Sequence, residues 1–425
     1  QNVNTHASQR VRALAPLRDF LRTESAGAVL LAGGALLALI WANSPWSGAY
    51  ESLWNSRIAL TVAGHSIDLD LRHWVNDGLM TIFFFVVGLE IKREATDGHL
   101  SERRAALLPV VSAFGGMLVP ALIYLAIAGS SAPRGWAIPV ATDIALAVGA
   151  ISVMGKRVPT SLRAFLLGLA IVDDIGAIII IAAVYSTGVS FGWLLVSIIG
   201  VSASVVARRL GVQSVLLYIV VGVSIWMGLY QGGVHPTLAG VMMGLLTPAV
   251  ALKQTDFVDI EEFPESLTSV DPSSLGNKAR DSVSVVEWLQ HILHPWTSFL
   301  IVPIFALANS GIHLSLDGLG DAAGSAITWG VFFGLILGKP LGVVLATRIA
   351  VRSGMSDRPE GSTARQMLGV GAAAGIGFTV AMFITELALT DPIQQENAKL
   401  AILLASVVAA GLSMLLLKGS GSQAN

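Results

Sequence analysis

Cysteine is missing from the 425-residue chain, which excludes a disulfide framework, thiolate-bound zinc, iron–sulfur clusters and thiol catalysis. Charge is scarce as well. Asp, Glu, Lys and Arg make up 13% of the residues, against about 25% in soluble domains. So few charges cannot cover the surfaces of the two or three domains that a soluble chain of this length would form. The formal net charge of −2 offers nothing to a polyanion, so no nucleic acid is expected as a partner. Walker A, His-Glu-x-x-His and Gly-x-Ser-x-Gly sequences are also absent. ATP-driven transport by this chain alone and zinc-type intramembrane proteolysis therefore lose support, and no enzyme activity is expected. Gly369-Val-Gly371-Ala-Ala-Ala374 spells a dinucleotide fingerprint, but no strand precedes it, so no cofactor is expected either.

What the chain has in abundance is apolar sequence, 54% of its residues, together with 44 glycines. Apolar runs bounded by charges or turn residues fall near 25–43, 73–91, 105–128, 136–154, 160–185, 190–207, 212–230, 232–250, 284–309, 325–347, 366–389 and 397–417. At roughly 20 residues per crossing these predict an all-α polytopic membrane protein with twelve transmembrane helices. Residues 1–24 read as a polar tail carrying Arg10, Arg12, Arg18 and Arg22, and 418–425 as a C-terminal tail. No small-x-small cleavage site follows the first run at Trp41-Ala42-Asn43, so that run is expected to remain as an uncleaved span.

Twelve crossings put both termini on one side. The opposite side then holds only Arg57, Arg72, Arg134 and Lys399 of the 26 basic residues, and Lys339 lies inside a span. The positive-inside rule makes the termini cytoplasmic. Residues 57–71 alternate in polarity around Gly64-His65 and predict an external β-hairpin. Residues 249–282, rich in Asp and Glu, read as an acidic, solvated cytoplasmic loop.

Charges inside the runs are the informative residues. Asp143 lies within the fourth run, Asp173 and Asp174 at the centre of the fifth, and Lys339 about twelve residues into the tenth. At about 2.5–3.5 kcal/mol each, four such groups cost on the order of 10–14 kcal/mol. A buried Asp–Lys pair that merely docks two helices explains one carboxylate and the lysine. Two carboxylates are then left over, and surplus intramembrane carboxylates point to a cation or proton path. Asp173 and Asp174 diverge by about 100° on a helix, so one can pair with Lys339 while the other faces a hydrated cavity.

Two spans also carry helix-breaking residues at matched places. Pro139 precedes Ala141-Thr142-Asp143 in the fourth, and Gly375-Ile376-Gly377-Phe378-Thr379 occupies the middle of the eleventh. Such interruptions, in the spans 3–5 and 10–12 triplets, predict inverted-topology repeats with two broken helices crossing at the bilayer midplane. Their ends would bring partial charges of both signs to one place. At the end of the second span Glu90, Arg93 and Glu94 share a helix face, open to two readings: a solvated helix end or a functional cluster. Asp77 lies about 20 Å up the same helix. His235, beside a turn, reads on its own as structural.

Seven motifs in order, Trp74-Val-Asn-Asp-Gly-Leu-Met80, Gly88-Leu-Glu-Ile-Lys-Arg-Glu94, Ala141-Thr-Asp-Ile-Ala145, Ala170-Ile-Val-Asp-Asp-Ile-Gly176, His294-Pro-Trp296, Gly338-Lys-Pro-Leu-Gly342 and Gly375-Ile-Gly-Phe-Thr379, make the chain resemble the NhaA-type sodium/proton antiporter family from about residue 25 to 417. By that resemblance 25–417 is a transporter domain in a bacterial inner membrane. Asp174 and Asp173 are implied as the ion- and proton-carrying pair. With Thr142 they would contact the transported Na+, and Thr142 and Asp143 would belong to the crossed, unwound chains. Lys339 is implied to pair with Asp173 or the crossing, and Asp77 to face the external passage. Glu90, Lys92, Arg93 and Glu94 would lie where pH is sensed, with His235 contributing and His291 and His294 nearby. The 57–71 hairpin matches the family's dimerisation element, so a homodimer is implied. One departure stands out: the stretch before His-Pro-Trp carries Gln290 where the family typically has a glutamate, and Glu287 near its basic position.

The resulting expectation is a pH-regulated, electrogenic secondary antiporter exchanging external H+ for cytoplasmic Na+ or Li+. A sodium-coupled transporter of a small organic anion is the alternative, since half-helix dipoles suit anions too. It calls for additional polar side chains in the spans, and few are present.

Overall fold

The computed structural model describes residues 26–62, 65–96, 98, 103–186, 188–212, 214–248 and 284–418. The expected 1–24 tail, the 249–282 loop and the tail beyond Lys418 lie outside the described residues. Among those described, eight helices are long and apolar enough to cross a membrane. The number is ten if each of two sharply bent pairs is one span. The bent pairs are Ala26–Ala42 with Ser47–Trp54, at 117°, and Ala364–Ala374 with Phe378–Ala388, at 46°.

Ten of the twelve expected runs are thereby matched. The seventh and eighth fall short, as Val215–Gln231 with 17 residues and Leu238–Leu246 with nine. The physical reason lies between them. Gly233 takes a left-handed φ of 74° and Pro236 follows, so the chain turns and only a short helix fits before Thr247.

The strands of the expected hairpin are present, Arg57–Val62 against His65–Asp70, antiparallel and in register from Arg57↔Asp70 to Val62↔His65. His65 is therefore a strand residue and not part of the turn. Leu71 is not in the hairpin either. The Asp70 side chain accepts from the backbone N–H of His73, capping a helix that starts at Leu71 and so ending the strand one residue earlier than expected. Trp74 Nε1 donates to the Ile58 carbonyl at 3.0 Å, tying the hairpin to that helix.

The chain divides into two compact units, one of Gln1–Met80, Glu102–Thr187 and Ser298–Asn425, the other of Thr81–Ser101 and Gly188–Thr297. In the first, Arg103–Ala128 packs on Lys339–Arg352 at Gly115 and Gly342, where a Cβ on either would strike the opposite helix. Small residues of this kind let membrane helices approach at backbone distance. Ser112 and Thr347 share a hydroxyl hydrogen bond of 2.8 Å in the same seam. In the second unit Gly88 abuts Val241 and Gly244, Gly240 abuts Thr81, and Trp226 Nε1 donates to Thr81 Oγ1 at 3.1 Å.

Candidate functional site

The two broken chains meet in the first unit. Pro133–Val140 is a 3₁₀ helix, Ala141–Asp143 is extended, and Ile144–Ser152 is an α-helix. The partner chain runs as Ala364–Ala374, a break at Gly375–Gly377, and Phe378–Ala388. The Asp143 N–H donates to the Ile376 carbonyl at 2.6 Å, so backbone touches backbone at the crossing. Gly375 and Gly377 have ordinary negative φ angles of −72° and −98°. Their role is therefore room and not unusual torsion: a Cβ on Gly377 would lie 3.0 Å from the Ala141 carbonyl oxygen, and one on Gly375 would strike the Leu335 carbonyl.

Asp143 serves both helix starts. Its Oδ1 accepts from the Leu146 N–H at 3.0 Å as N-cap of its own helix. Its Oδ2 accepts from the Thr379 N–H at 3.0 Å and the Thr379 hydroxyl at 2.7 Å. Gly377, the N-cap of Phe378–Ala388, has no side chain to offer, so the second helix borrows its cap from the first. One carboxylate thus meets two positive helix ends.

Asp173 and Lys339, both fully buried, form an ion pair between Asp173 Oδ2 and Lys339 Nζ. The same Oδ2 lies 2.7 Å from Thr142 Oγ1, which also lies 2.9 Å from the Ala374 carbonyl at the end of its helix. A hydroxyl has one proton, so Thr142 donates to one of these oxygens at a time. Asp173 Oδ1 has no hydrogen-bond partner among the described residues. Asp174, at the next position of Thr160–Val184, is 5% exposed. Lys339 follows a π-helical turn, Gly334–Gly338, a local irregularity of the kind found at functional positions. Its stem passes over Gly116.

Of the candidates named from sequence, Asp143, Thr142, Asp173, Lys339, Gly375, Gly377 and Thr379 converge here through the contacts above. Asp77 sits half-buried in a π-helical turn, Trp74–Leu79, of the first unit. Glu90, Arg93, Glu94, His235, His291 and His294 belong to the second unit. Glu90 and Glu94 are buried, at 7% and 6% exposure, which corrects the reading of a solvated helix end. Arg93 is half-buried. His235 Nδ1 lies 2.8 Å from Thr237 Oγ1, a local contact. On Val285–Trp296, Gln290 is buried, Glu287 and His291 are exposed and His294 is half-buried.

Two polar pairs escaped the sequence reading. Glu386 and Lys399 form an ion pair at 2.5 Å. Asn76 and Asn309, both buried, exchange amide hydrogen bonds of 2.8 and 3.3 Å. The signal for the first was available, because Glu386 falls inside the eleventh apolar run. For the second, Asn76 stood in the quoted 74–80 motif and Asn309 ends its helix, and nothing in the sequence pointed from one to the other.

Comparison with known proteins finds similar sequences along nearly the whole chain. The model of the family described as Na+/H+ antiporter 1 matches residues 18–417. The chain is 45% identical over 417 residues to the Na(+)/H(+) antiporter NhaA 2 of Sorangium cellulosum, covering 94% of this chain and 88% of that protein. It is 41% identical over 416 residues to the Na(+)/H(+) antiporter NhaA of Oleidesulfovibrio alaskensis, covering 94% and 92%. With the Na(+)/H(+) antiporter NhaA of Janthinobacterium sp. it shares 42% over 422 residues, covering 95% and 92%.

Proposed function

The chain belongs to the Na+/H+ antiporter 1 family, and from that premise we propose that it exchanges external H+ for cytoplasmic Na+ or Li+ at the crossing of its broken helices. The observation that carries the reading is the charge arrangement there. Asp143 caps two helix N-termini, Asp173 pairs with Lys339, and Asp174, the next residue on the same helix as Asp173, is a third buried carboxylate. A carboxylate holds either a proton or a hard cation, never both. Competition for one site plus alternating access then suffices for exchange. Asp174, Asp173 and the Thr142 hydroxyl supply the oxygen ligands that suit such a cation. When Thr142 turns its proton to Ala374, its lone pairs face the carboxylates, completing a set of oxygens without moving backbone.

The finer reading includes twelve crossings, with the short helices Val215–Gln231 and Leu238–Leu246 counted as the seventh and eighth, and inverted repeats over spans 3–5 and 10–12. It places the protein in a bacterial inner membrane with cytoplasmic termini, on the distribution of basic residues. It takes exchange as electrogenic and pH-regulated, with Glu90, Arg93, Glu94, His235, His291 and His294 in the regulatory part and Asp77 on the external passage. It takes the chain as a homodimer joined through the hairpin, because a lone two-stranded ribbon is marginal in water and pairing its edge relieves that. The deciding experiment is a Na+ pulse to vesicles holding the protein and a pH-sensitive dye. Sodium-dependent proton flux in wild type and none in Asp174→Asn supports exchange at this site. Flux that requires an organic anion would favour the co-transport alternative.

A further inference from the structure

A cavity of about 330 Å³ opens beside the C-terminal end of Lys339–Arg352. Arg348, Arg352 and Arg358 line it, over apolar walls that include Val344, Val351 and Met367. None of the three guanidinium groups makes an ion pair or hydrogen bond among the described residues. Asp357 and Glu360, exposed in the same loop, make no ion pair with them among the described residues, and the three arginines are themselves exposed. The adjacent Arg365 is engaged elsewhere, donating to the Leu415 carbonyl at 3.3 Å. Three like charges around one cavity repel one another, and an anion seated among them converts that repulsion into charge-assisted hydrogen bonds.

The surroundings indicate which anion. On the same helix Leu341, Leu345 and Ile349 are exposed by 48, 50 and 62%. They follow one another at i, i+4, on one side of the helix. Arg348 comes three residues after Leu345, and Arg352 three after Ile349, so the apolar face runs directly into the guanidinium groups. Acyl chain below and phosphate above is the order of groups that a phospholipid presents at a membrane surface. The distribution of basic residues places this end on the cytoplasmic side.

We propose that this cavity binds the phosphate of an anionic phospholipid headgroup, held by Arg348, Arg352 and Arg358, with the acyl chains along Leu341, Leu345 and Ile349. The site is separate from ion exchange, and its test does not depend on transport. Delipidated full-length protein in detergent is titrated with phosphatidylglycerol, phosphatidylcholine or inorganic phosphate. Bound lipid is counted by native mass spectrometry and Tm is followed in parallel. Phosphatidylglycerol should bind and raise Tm well beyond phosphatidylcholine. The triple variant Arg348→Gln, Arg352→Gln, Arg358→Gln should weaken that binding about tenfold or more. Arg57→Gln, on the hairpin strand Arg57–Val62 and at the opposite surface in the topology proposed above, should leave it unchanged. Equal phosphatidylglycerol binding by wild type and triple variant overturns the proposal, as does equal loss in Arg57→Gln. A full Tm shift from inorganic phosphate without preference between the lipids overturns the lipid assignment in favour of a free anion. Should the triple variant not fold, Arg358→Gln, which lies outside any helix, carries the test: a weakening of about threefold supports the proposal and no change overturns it.

Discussion

At the crossing of 133–152 with 364–388, polar side chains are fixed by partners on other stretches of chain. The Asp143 carboxylate reaches Thr379, the Thr142 hydroxyl reaches Asp173 and Ala374, and Asp173 reaches Lys339. The ionisable residues of Val285–Trp296 are placed differently. Glu287 and His291 are exposed on that helix, and the buried Gln290 leaves its Oε1 without a hydrogen-bond partner among the described residues. The contrast shows where substitution is tolerable. A change at the crossing breaks several contacts at once, whereas Gln290 can stand for a glutamate without breaking any. On the proposed function, chemistry that needs fixed geometry belongs to the first region and the adjustable pH response to the second.

The sharpest way to break this comparison is to neutralise the carboxylates of the crossing. Asp174→Asn and Asp173→Asn should each bring sodium-dependent proton flux to background in vesicles while the protein still inserts. Normal flux in both would remove the crossing from the mechanism. Lys339→Ala comes next. Removing one member of a buried pair costs about 3–5 kcal/mol, so Tm in detergent should fall clearly. If Lys339 also carries a proton, the charge moved per Na+ changes. If it is only the counter-ion of Asp173, transport in the variant stays electrogenic.

Asp143 offers a finer probe. Asp143→Ala uncaps two helices and should cost about 2 kcal/mol, at roughly 1 kcal/mol per cap. Thr379→Val keeps the backbone N–H and removes only the hydroxyl bond, for about 1 kcal/mol. In the double variant the Thr379→Val loss should vanish, and additive losses in thermal denaturation would show that Thr379 does not act through Asp143.

Much of the crossing was legible because burying charge is expensive. Asp143, Asp173, Asp174 and Lys339 stood out against apolar surroundings with no partner nearby in sequence, and Pro139, Gly375 and Gly377 marked where helices could open. Helix geometry alone left open which of Asp173 and Asp174 meets Lys339, because the direction of a side chain depends on packing. The family resemblance already named Asp173 or the crossing, and the ion pair is with Asp173. The double duty of Asp143 was not legible, since Gly377 as an uncapped N-cap says nothing about who supplies the missing acceptor. The burial of Glu90 and Glu94 was hidden for the opposite reason: charges at a helix end look alike whether solvent or another helix covers them. The division of the seventh and eighth runs turned on Gly233 and Pro236, whose effect on helix length depends on the turn they make.

The smallest expected effect lies in the second region. Gln290→Glu keeps side-chain shape and places a carboxylate one helical turn before His294, since 290 and 294 are i, i+4 neighbours on Val285–Trp296. A negative charge beside a titrating cation makes the proton harder to remove. If loss of a proton from this helix activates exchange, the activity-versus-pH midpoint should rise, and a coupling of about 0.3–0.5 kcal/mol corresponds to roughly 0.3 pH unit. Competition between H+ and Na+ at Asp173 and Asp174 alone predicts no shift, because in that account only the crossing titrates. Equal midpoints in wild type and Gln290→Glu would therefore take this position out of the pH response and favour the crossing as its source.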